Sequence, residues 1–401
     1  MKILVVNCGS SSLKYQLIDM EDESVIAKGR YERIGDGDTA FLTHEAKGTK
    51  TKFNNPAQNH EEALEFVLEK LLDEEVGVIK DLSEIDGVGH RLVNGGERFK
   101  KSELINEEVL KDLGAVINFA PLHNPGAISG IKACLKLMPD TPMSVVVDTS
   151  FHQTIPEERY LFPVPYKYYE KYKLRKYGAH GTSHRYVANR VAELMGRDVN
   201  NLKTVVCHLG QGASLCAVLN GKSVDTSMGL TPLGGIAMCA RSGDLDPSVV
   251  TFIMRKEGLD ADQVENLLNH ESGMYGVSGV GVDLRDLVEE ADNNNNHRAE
   301  IAIEQFCYIV AQYIARYAVA LNGIDCIAFT AGIGENQDYI RKHVCDYLEW
   351  MGVEVLDSRN AGVRGEEKLI SSDDSKVEVW LVPTNEELMI AQDTMDLVKG
   401  L

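Results

Sequence analysis

The chain alternates short apolar runs with longer segments in which apolar residues recur at helical spacing, a pattern typical of an α/β protein. The short runs predict strands over Ile3–Val6, Leu13–Ile18, Ile85–His90, Met143–Val147, Thr204–Cys207, Ser214–Leu219, Ile324–Phe329 and Val377–Val382. The longer segments predict helices over Glu61–Leu72, Ser183–Met195 and His297–Leu321. The acidic, asparagine-rich segment Asp286–Asn296 fits neither pattern, and we expect it to be a surface connection.

The first strand–loop–strand segment is repeated in the middle of the chain. Lys2–Leu13 (KILVVNCGSSSL) resembles Lys203–Leu215 (KTVVCHLGQGASL), and Gly9 and Gly210 lie 201 residues apart in a chain of 401. Two unrelated β-hairpins would explain this likeness. A duplicated domain would explain it too, with each half offering a glycine-rich hairpin to one ligand. Phosphate suits such loops because glycine lets backbone N–H groups approach and serine adds donors.

Composition then excludes several classes of protein. With 44% hydrophobic and 25% charged residues, the chain has the makeup of an ordinary globular protein. The 61 acidic and 41 basic residues give a net charge of −20, which argues against nucleic-acid and anionic-membrane partners. No apolar run approaches a membrane span or a signal peptide, and eight scattered cysteines predict reduced, mostly buried thiols. We therefore expect a cytoplasmic protein.

Polar residues of a functional type follow six of the predicted strands, where ligands bind in open α/β sheets. They are Asn7, His90 with Arg91, Asp148, His208, Gly332 with Gly334, and Thr384–Glu387. Lys14 and Arg241 add cations of the kind that bind phosphate or an anionic transition state. A surface ion pair would also explain Arg91 or Arg241. His180, between two glycines and a helix, is compatible with a core role or with a functional one.

Helix-start motifs also have structural explanations. Thr182 or Ser183 could cap the helix after His180, and the AGIGEN segment at 331–336 could be a plain strand-to-helix turn instead of a phosphate site. Thr384 and Glu387 have the spacing of a capping box. That assignment leaves Glu386 at the helix start, where an acidic residue interacts favourably with the helix dipole and could also be a Mg²⁺ ligand.

Nine motifs, in one order along the whole chain, resemble those of the acetate kinase family within the actin-like and sugar-kinase ATPase superfamily. They are NCGSSSLK, GHRLVNGGERF, PLHNPG, VVVDTSFHQT, YGAHGTSH, HLGQGAS, RSGDLDP, FTAGIGEN and PTNEEL. The resemblance implies a duplicated ribonuclease-H-like (actin-like ATPase) α/β fold, with two domains around a nucleotide cleft, and a homodimer. Residues 1–150, with a C-terminal helix 386–401 packed back on them, would form one domain, and residues 151–385 would form the nucleotide-binding one.

The same resemblance implies reversible phosphoryl transfer between ATP and acetate, giving acetyl phosphate and ADP, with Mg²⁺ or Mn²⁺. The metal would be positioned by Asn7 and Glu386, and catalysis would rest on Arg91, Asp148, His180 and Arg241. Acetate would be bound by Arg91 together with the apolar residues Val93, Leu122 and Pro232. ATP would be held by Lys14, His208, Leu209, Gly210, Gln211, Gly212, Asp283, Leu284, Arg285, Gly332, Ile333, Gly334, Glu335 and Asn336.

Acetate is already ionised at pH 7, so no base is needed to activate it, and Asp148 is better suited to orienting a metal or its waters. Six positions in five motifs depart from the usual family pattern. They are Asn94 for His, Ala179 for Phe, Gln211 for Asn, Gly234 for Glu, and Cys239 with Ala240 for Gly-Thr. An enlarged pocket at Ala179 predicts relaxed selectivity for propionate and longer acids, unless another side chain, such as Met228 or Met238, fills the space. Two further hypotheses are that pyrophosphate is the phosphoryl donor and that the protein is a non-catalytic nucleotide-binding scaffold. The complete set of charged residues argues against the scaffold.

Overall fold

The computed structural model of the 401-residue chain describes residues 1–120 and 123–401. They form two compact units. The first comprises Met1–Phe151 and Asn385–Leu401, and the second comprises His152–Thr384. Among the described residues, no helix combines the length and the apolar character that crossing a bilayer requires.

The described residues form fourteen strands. They are β1 (Lys2–Cys8), β2 (Ser12–Asp19), β3 (Ser24–Glu32), β4 (Phe41–Ala46), β5 (Thr49–Asn54), β6 (Gly87–Leu92), β7 (Glu103–Leu104), β8 (Met143–Val147), β9 (Lys203–Leu209), β10 (Ala213–Leu219), β11 (Lys222–Thr226), β12 (Cys326–Thr330), β13 (Lys368–Leu369) and β14 (Glu378–Leu381).

They also form fifteen α-helices, several of them a single turn long. The helices are α1 (His60–Leu72), α2 (Glu107–Ala115), α3 (Asn124–Leu137), α4 (Glu157–Tyr160), α5 (Lys167–Tyr172), α6 (Gly181–Leu194), α7 (Pro247–Glu257), α8 (Ala261–His270), α9 (Gly273–Ser278), α10 (Leu284–Asn294), α11 (His297–Leu321), α12 (Ala331–Asn336), α13 (Asp338–Asp346), α14 (Asp357–Asn360) and α15 (Glu386–Lys399).

Each unit is built on one mixed sheet, and the two sheets repeat the same five-strand plan. The first sheet has the order β5-β4-β3-β2-β1-β6-β8-β7, and the second has the order β11-β10-β9-β12-β14-β13. In both, three antiparallel strands (β3-β2-β1 or β11-β10-β9) are followed by two parallel ones (β6-β8 or β12-β14). The repeat of Lys2–Leu13 at Lys203–Leu215 is therefore a pair of equivalent hairpins, and the predicted duplicated α/β fold is confirmed.

The C-terminal helix α15 belongs to the first unit because it packs closely against that unit's parallel strands. The side chain of Thr394 hydrogen-bonds Ser144 on β8, with 2.8 Å between the two hydroxyl oxygens. On β6, a Cβ atom at Gly89 would lie 2.4 Å from the Thr394 hydroxyl, so only glycine permits this approach. The start of α15 is thereby held at the end of the sheet where β6 and β8 finish.

All eight predicted strands and all three predicted helices are present, with ends within two residues of the prediction. The predicted surface connection at Asp286–Asn296 was wrong, because most of it belongs to helix α10. Leu287 on that helix is buried, and the Asp283 side chain caps its start. The asparagines then serve two helices, since Asn295 ends α10 in the left-handed conformation (φ 50°) and Asn296 caps α11.

Strands β3, β4 and β5 were missed because their apolar content is too low to stand out in the sequence. On β4 the buried positions alternate, and one of them is His44, whose ring contacts the Tyr15 hydroxyl. Strand β5 has only exposed and half-buried residues. The expectation for the cysteines is confirmed, since all eight are unpaired and buried.

Candidate active site

A charged cluster lies in the first unit where β6 and β8 end and α15 begins. The Arg91 guanidinium donates to Asp148 Oδ2 from Nε at 3.0 Å and from Nη2 at 2.7 Å. Its Nη2 also lies 3.6 Å from Glu386 Oε2. Because β6 and β8 are parallel neighbours, their carboxyl ends meet at one edge of the sheet, and the three predicted residues are brought together there.

The charge of Arg91 is more than balanced by two carboxylates in a largely buried cluster. Asp148 has only 1% of its side chain exposed, and Arg91 has 20%. Burial by itself would lower the pKa of Arg91, but the carboxylates of Asp148 and Glu386 outweigh it and raise that pKa above its ordinary value. Arg91 therefore stays charged and holds two carboxylates that would otherwise repel each other.

The hairpin loop between β1 and β2 is braced from behind by two helices. Asn7 and Lys14 face each other across the hairpin, Asn7 half-buried and Lys14 exposed. On α3, a Cβ atom at Gly126 would lie 2.4 Å from the Gly9 carbonyl oxygen. At the start of α1, His60 Nε2 lies 2.7 Å from the same oxygen. The sequence reasoning missed His60 and Gly126, whose importance appears only when the helices reach the loop.

The three residues expected to line the acetate pocket are not all described. Val93 is half-buried just after β6, and Leu122 lies outside the described residues. Pro232, in the second unit, is half-buried and its carbonyl oxygen lies 3.4 Å from Arg241 Nη1.

A cluster of histidines surrounds the start of α6 in the second unit. His180 precedes the helix in the left-handed conformation (φ 55°), which is uncommon for a residue other than glycine. Its ring stacks on that of His208, with centroids 4.0 Å apart. The Ser214 hydroxyl lies 2.9 Å from His180 Nδ1 and 2.8 Å from His184 Nε2. Ser183 Oγ lies 2.8 Å from His208 Nδ1, so serines hold three of these rings.

Arg241 is the second unit's counterpart to Arg91, but its surroundings are different. Its Nη1 contacts the Pro232 carbonyl at 3.4 Å and the Met238 sulfur at 4.0 Å, and no carboxylate of the described chain pairs with it. Burial lowers the pKa of Arg241 below its ordinary value. A Cβ atom at Gly212 would lie 3.4 Å from Arg241 Nη1 and 3.6 Å from His180 Cε1, so both side chains border this glycine.

A cavity of about 380 Å³ lies beside these residues, and we call it the glycine-loop cavity. Eight of its lining residues were predicted to hold ATP: Gly210, Gln211, Asp283, Leu284, Arg285, Gly332, Ile333 and Asn336. Four more were not predicted: Cys239, Val282, Gln337 and Arg364. Asp283 and Arg285 form an ion pair that lowers the pKa of Asp283 to about 2. Burial raises the pKa of Cys239 to about 11, so its thiol is uncharged at neutral pH.

Other residues predicted to hold ATP are not among those that line the cavity. His208 and Leu209 are buried on β9, and Gly334 is buried in α12. Glu335 accepts hydrogen bonds from the backbone N–H of Ala331 at 2.8 Å and of Thr384 at 3.1 Å. Its carboxylate therefore connects α12 to the segment that follows β14. Glu335 thus supports the position of α12 and does not line the cavity.

Arg341 is a supporting residue that no motif or spacing in the sequence singles out. It is fully buried and donates to the carbonyl oxygen of Gly334 at 2.9 Å and that of Val363 at 2.9 Å. Its Nε donates to Asn360 Oδ1 at 2.9 Å. Burial lowers the pKa of Arg341 to about 10. The guanidinium thus caps the last carbonyls of α12, the helix whose other residues line the cavity.

Two capping predictions were wrong. Helix α15 is capped by Asn385, whose side chain accepts from Leu388 N, because the helix begins one residue later than the Thr384–Glu387 capping box requires. Helix α6 begins at Gly181, so Thr182 and Ser183 lie inside its first turn and not at the capping position.

Ala179 is not beside an open space. It is only 4% exposed and belongs to the same hydrophobic core as Met228 and Met238, which are both fully buried. Its carbonyl oxygen lies 3.0 Å from His152 Nε2. The burial of Ala179 in this core therefore argues against an enlarged pocket.

Comparisons with known proteins agree over the whole chain. The family model described as the Acetokinase family matches residues 2–392. An acetate kinase from Caldanaerobacter subterraneus subsp. tengcongensis is 56% identical over 402 residues, covering 100% of both chains. Crystal structures of Porphyromonas gingivalis acetate kinase (TM-score 0.95, 45% identity) and a Francisella tularensis propionate kinase (TM-score 0.91, 38% identity) each cover 99% of both chains. The chain belongs to the acetokinase family.

Proposed function

We propose that this protein catalyses reversible, Mg²⁺-dependent phosphoryl transfer between ATP and acetate, giving acetyl phosphate and ADP. One observation carries the proposal. Gly210 and Gln211 line the glycine-loop cavity, and Gly212, the next residue, borders both Arg241 and His180. A nucleotide in the cavity with its phosphates toward Gly212 would present its terminal phosphate to these two side chains.

The reaction needs charge neutralisation more than it needs a base. Acetate is an anion that must approach a polyanion, so positioned cations supply the catalysis. Arg241 suits this role because no carboxylate of the described chain competes for its guanidinium. His180 borders the same space and can donate a hydrogen bond to the transferring group. Arg91 would bind the acetate carboxylate, and Val93 and Pro232 would contact its methyl group.

The oxygen-rich end of the first unit fits a Mg²⁺ ion. Mg²⁺ takes one or two protein carboxylates and fills its other positions with water and phosphate oxygens. Glu386 is partly exposed, and its charged contact with Arg91 is a long 3.6 Å approach, which leaves carboxylate oxygen capacity for a metal. Asn7 and Glu386 would hold the ion, and Asp148 would orient it or its waters. The ion, or Mn²⁺ in its place, would neutralise phosphate oxygens when bound.

Acetate is the acid that the observations favour. Relatives that share 51–56% of their residues with this chain over its full length are named acetate kinases, whereas the propionate kinase shares 38%. Ala179 is buried in the same hydrophobic core as Met228 and Met238, which argues against room there for a longer acid. We expect Ala179→Phe to overpack this core and lower the free energy of unfolding by about 1–3 kcal/mol without raising acetate preference.

We further propose that the protein is a cytoplasmic homodimer. Eight unpaired, buried cysteines are typical of a reducing compartment. Large apolar side chains at Val164, Tyr166, Tyr168 and Tyr172 are exposed on one short segment of the second unit and would be covered by a second subunit. Sedimentation velocity of the purified protein would give about 89 kDa for a dimer of 44.3 kDa chains, and a single 44.3 kDa species would contradict the proposal.

Trapping acyl phosphate with hydroxylamine tests the activity and its substrates together. The purified enzyme would be offered acetate, propionate or butyrate with ATP or pyrophosphate, with and without Mg²⁺. We expect the largest kcat/KM with acetate, ATP and Mg²⁺. A larger value with propionate or with pyrophosphate would overturn the substrate assignment, and no acyl phosphate from any pair would overturn the kinase proposal.

A further inference from the structure

One buried hydroxyl connects the histidine that borders the glycine-loop cavity to a histidine in the protein interior. Ser214, fully buried on β10, lies 2.9 Å from His180 Nδ1 and 2.8 Å from His184 Nε2. A serine hydroxyl has one hydrogen to donate and lone pairs to accept. When both rings are neutral, Ser214 donates to one histidine and accepts from the other. We call these two hydrogen bonds, from His184 through Ser214 to His180, the relay. The direction in which they run decides which nitrogen of His180 carries its proton.

The interior end of the relay determines its direction. His184 is fully buried between the rings of His152 and His208, and burial holds its pKa well below its ordinary value, so the ring carries a single N–H. In the described part of the chain, no polar atom reaches His184 Nδ1. An N–H there would be a buried donor with no acceptor, which proteins avoid more strictly than an unused lone pair. The proton of His184 therefore sits on Nε2 and is donated to Ser214.

The rest of the relay follows. Ser214 accepts from His184, so its own hydrogen is donated to His180 Nδ1, and the proton of a neutral His180 must sit on Nε2. His180 Nε2 lies 3.7 Å from the position of a Cβ atom on Gly212, the same glycine that borders Arg241 Nη1. The left-handed backbone of His180 and its stacking on His208 hold the ring in this orientation.

We propose that Ser214 and His184 are positioning residues that hold His180 in the Nε2–H form, so that it presents a hydrogen-bond donor toward the space beside Gly212 and Arg241. The use of that donor on a transferring phosphoryl group rests on the proposed function. The protonation pattern itself does not, and the two can be tested separately.

The protonation pattern is read from the ¹⁵N chemical shifts of the His180 and His184 rings in the intact wild-type protein, assigned by comparison with histidine variants. We expect Nε2 to carry the hydrogen in both rings, and His180 Nδ1 to show the shift of a hydrogen-bonded, unprotonated nitrogen. A hydrogen on His180 Nδ1 would reverse the relay and overturn the proposal, whatever the enzyme's activity. This measurement needs no variant of Ser214 that must fold.

Kinetics test whether the relay matters for the reaction. We expect Ser214→Ala to lower kcat at least tenfold while the KM values for acetate and ATP change less than threefold, and Ser214→Thr, which keeps a hydroxyl, to retain more activity. His184→Gln can still donate to Ser214 and should exceed His184→Leu in kcat. A matched control is Ser223→Ala, which removes another buried serine that lies 2.8 Å from a histidine, His152 Nδ1, on the next strand.

The outcomes separate the two proposals. If Ser214→Ala keeps kcat within threefold of wild type, or if Ser223→Ala loses as much, the positioning role is overturned. If the Nε2–H pattern is present but the wild-type enzyme forms no acyl phosphate, the proposed function fails while the relay stands.

Discussion

Arg91 and Arg241 are both withdrawn from bulk solvent, yet their surroundings are opposite. Arg91 donates two hydrogen bonds to Asp148 and lies near Glu386, so its charge is more than balanced within the first unit. Arg241 contacts a carbonyl oxygen and a thioether, and no carboxylate of the described chain neutralises it. Accordingly, the pKa of Arg91 is raised and that of Arg241 is lowered.

This difference indicates that Arg91 stabilises the fold by neutralising carboxylates of the chain, whereas Arg241 has a charge that only a bound anion can neutralise. An arginine cannot lose its proton at neutral pH, so an unbalanced one stores unfavourable desolvation energy that an arriving anion relieves. Arg241 is therefore prepared for an anionic substrate before one binds. Arg91 has to exchange part of its contact with Asp148 or Glu386 if it is to bind acetate.

The largest expected effect is on catalysis. Arg241→Ala should lower kcat roughly 10³-fold or more, because the guanidinium meets charge that develops during transfer, while the KM for acetate rises much less. Its free energy of unfolding should stay within about 0.5 kcal/mol of wild type, because the substitution strands no buried carboxylate. Steady-state kinetics and urea unfolding measure the two quantities. A raised KM with an unchanged kcat would mean that Arg241 only binds the ground state.

Arg91→Ala should weaken the fold as well as the activity. Removing the guanidinium takes the balancing charge away from the buried Asp148 carboxylate, which costs about 3 kcal/mol in unfolding free energy. The matched control is Arg98→Ala in the same unit. Arg98 also contacts two carboxylates, those of Glu103 and Asp112, but it is 37% exposed, and exposed pairs contribute under about 1 kcal/mol. Equal losses in the two variants would refute the contrast between buried and exposed arginines.

His90 precedes Arg91 on β6, and because a buried histidine can lose its proton, it should make the stability of the protein depend on pH. Burial lowers the pKa of His90 to about 3, whereas an unfolded chain protonates this histidine near pH 6.5. The unfolded state therefore binds more protons between these values, and stability falls as the pH falls below about 6.5. This histidine should contribute a loss of about 2 kcal/mol between pH 6.5 and 5.0. His90→Leu should flatten the pH dependence, whereas His297→Leu, at an exposed site, should not.

The smallest expected effect concerns the start of α15, next to Arg91. Asn385→Ala should lower the free energy of unfolding by about 1 kcal/mol, because the Leu388 N–H loses its side-chain acceptor. Glu387→Ala should change stability by less than about 0.5 kcal/mol. Glu386→Ala should keep the fold and lower turnover with a weaker response to Mg²⁺. A larger loss of stability in Glu387→Ala than in Asn385→Ala would contradict capping by Asn385 and support the predicted Thr384–Glu387 capping box.

Much of this molecule was determined by local sequence. The buried strands of the parallel part of each sheet are short apolar runs, because both of their faces are covered, and these were found within two residues. The polar residues that end those strands, Arg91 and Asp148 among them, could be placed at one edge of the sheet in advance, because parallel strands finish at the same edge. The repeated hairpin offered duplication as one of two explanations, since both copies have a glycine at the same place in the loop, and the matching strand orders of the two sheets decided between them.

Only the tertiary structure decided how the site residues are paired. Whether Arg241 has a counter-ion, whether Ser214 joins two histidines, and whether Arg341 caps α12 depend on contacts between residues that are not neighbours in the sequence. The same holds for helix α10, whose polar composition hides the buried Leu287, and for strand β4, which buries a histidine against Tyr15. Hydrophobic periodicity reports which face of an element is covered, but it does not say which atoms meet there, because that depends on how distant segments pack.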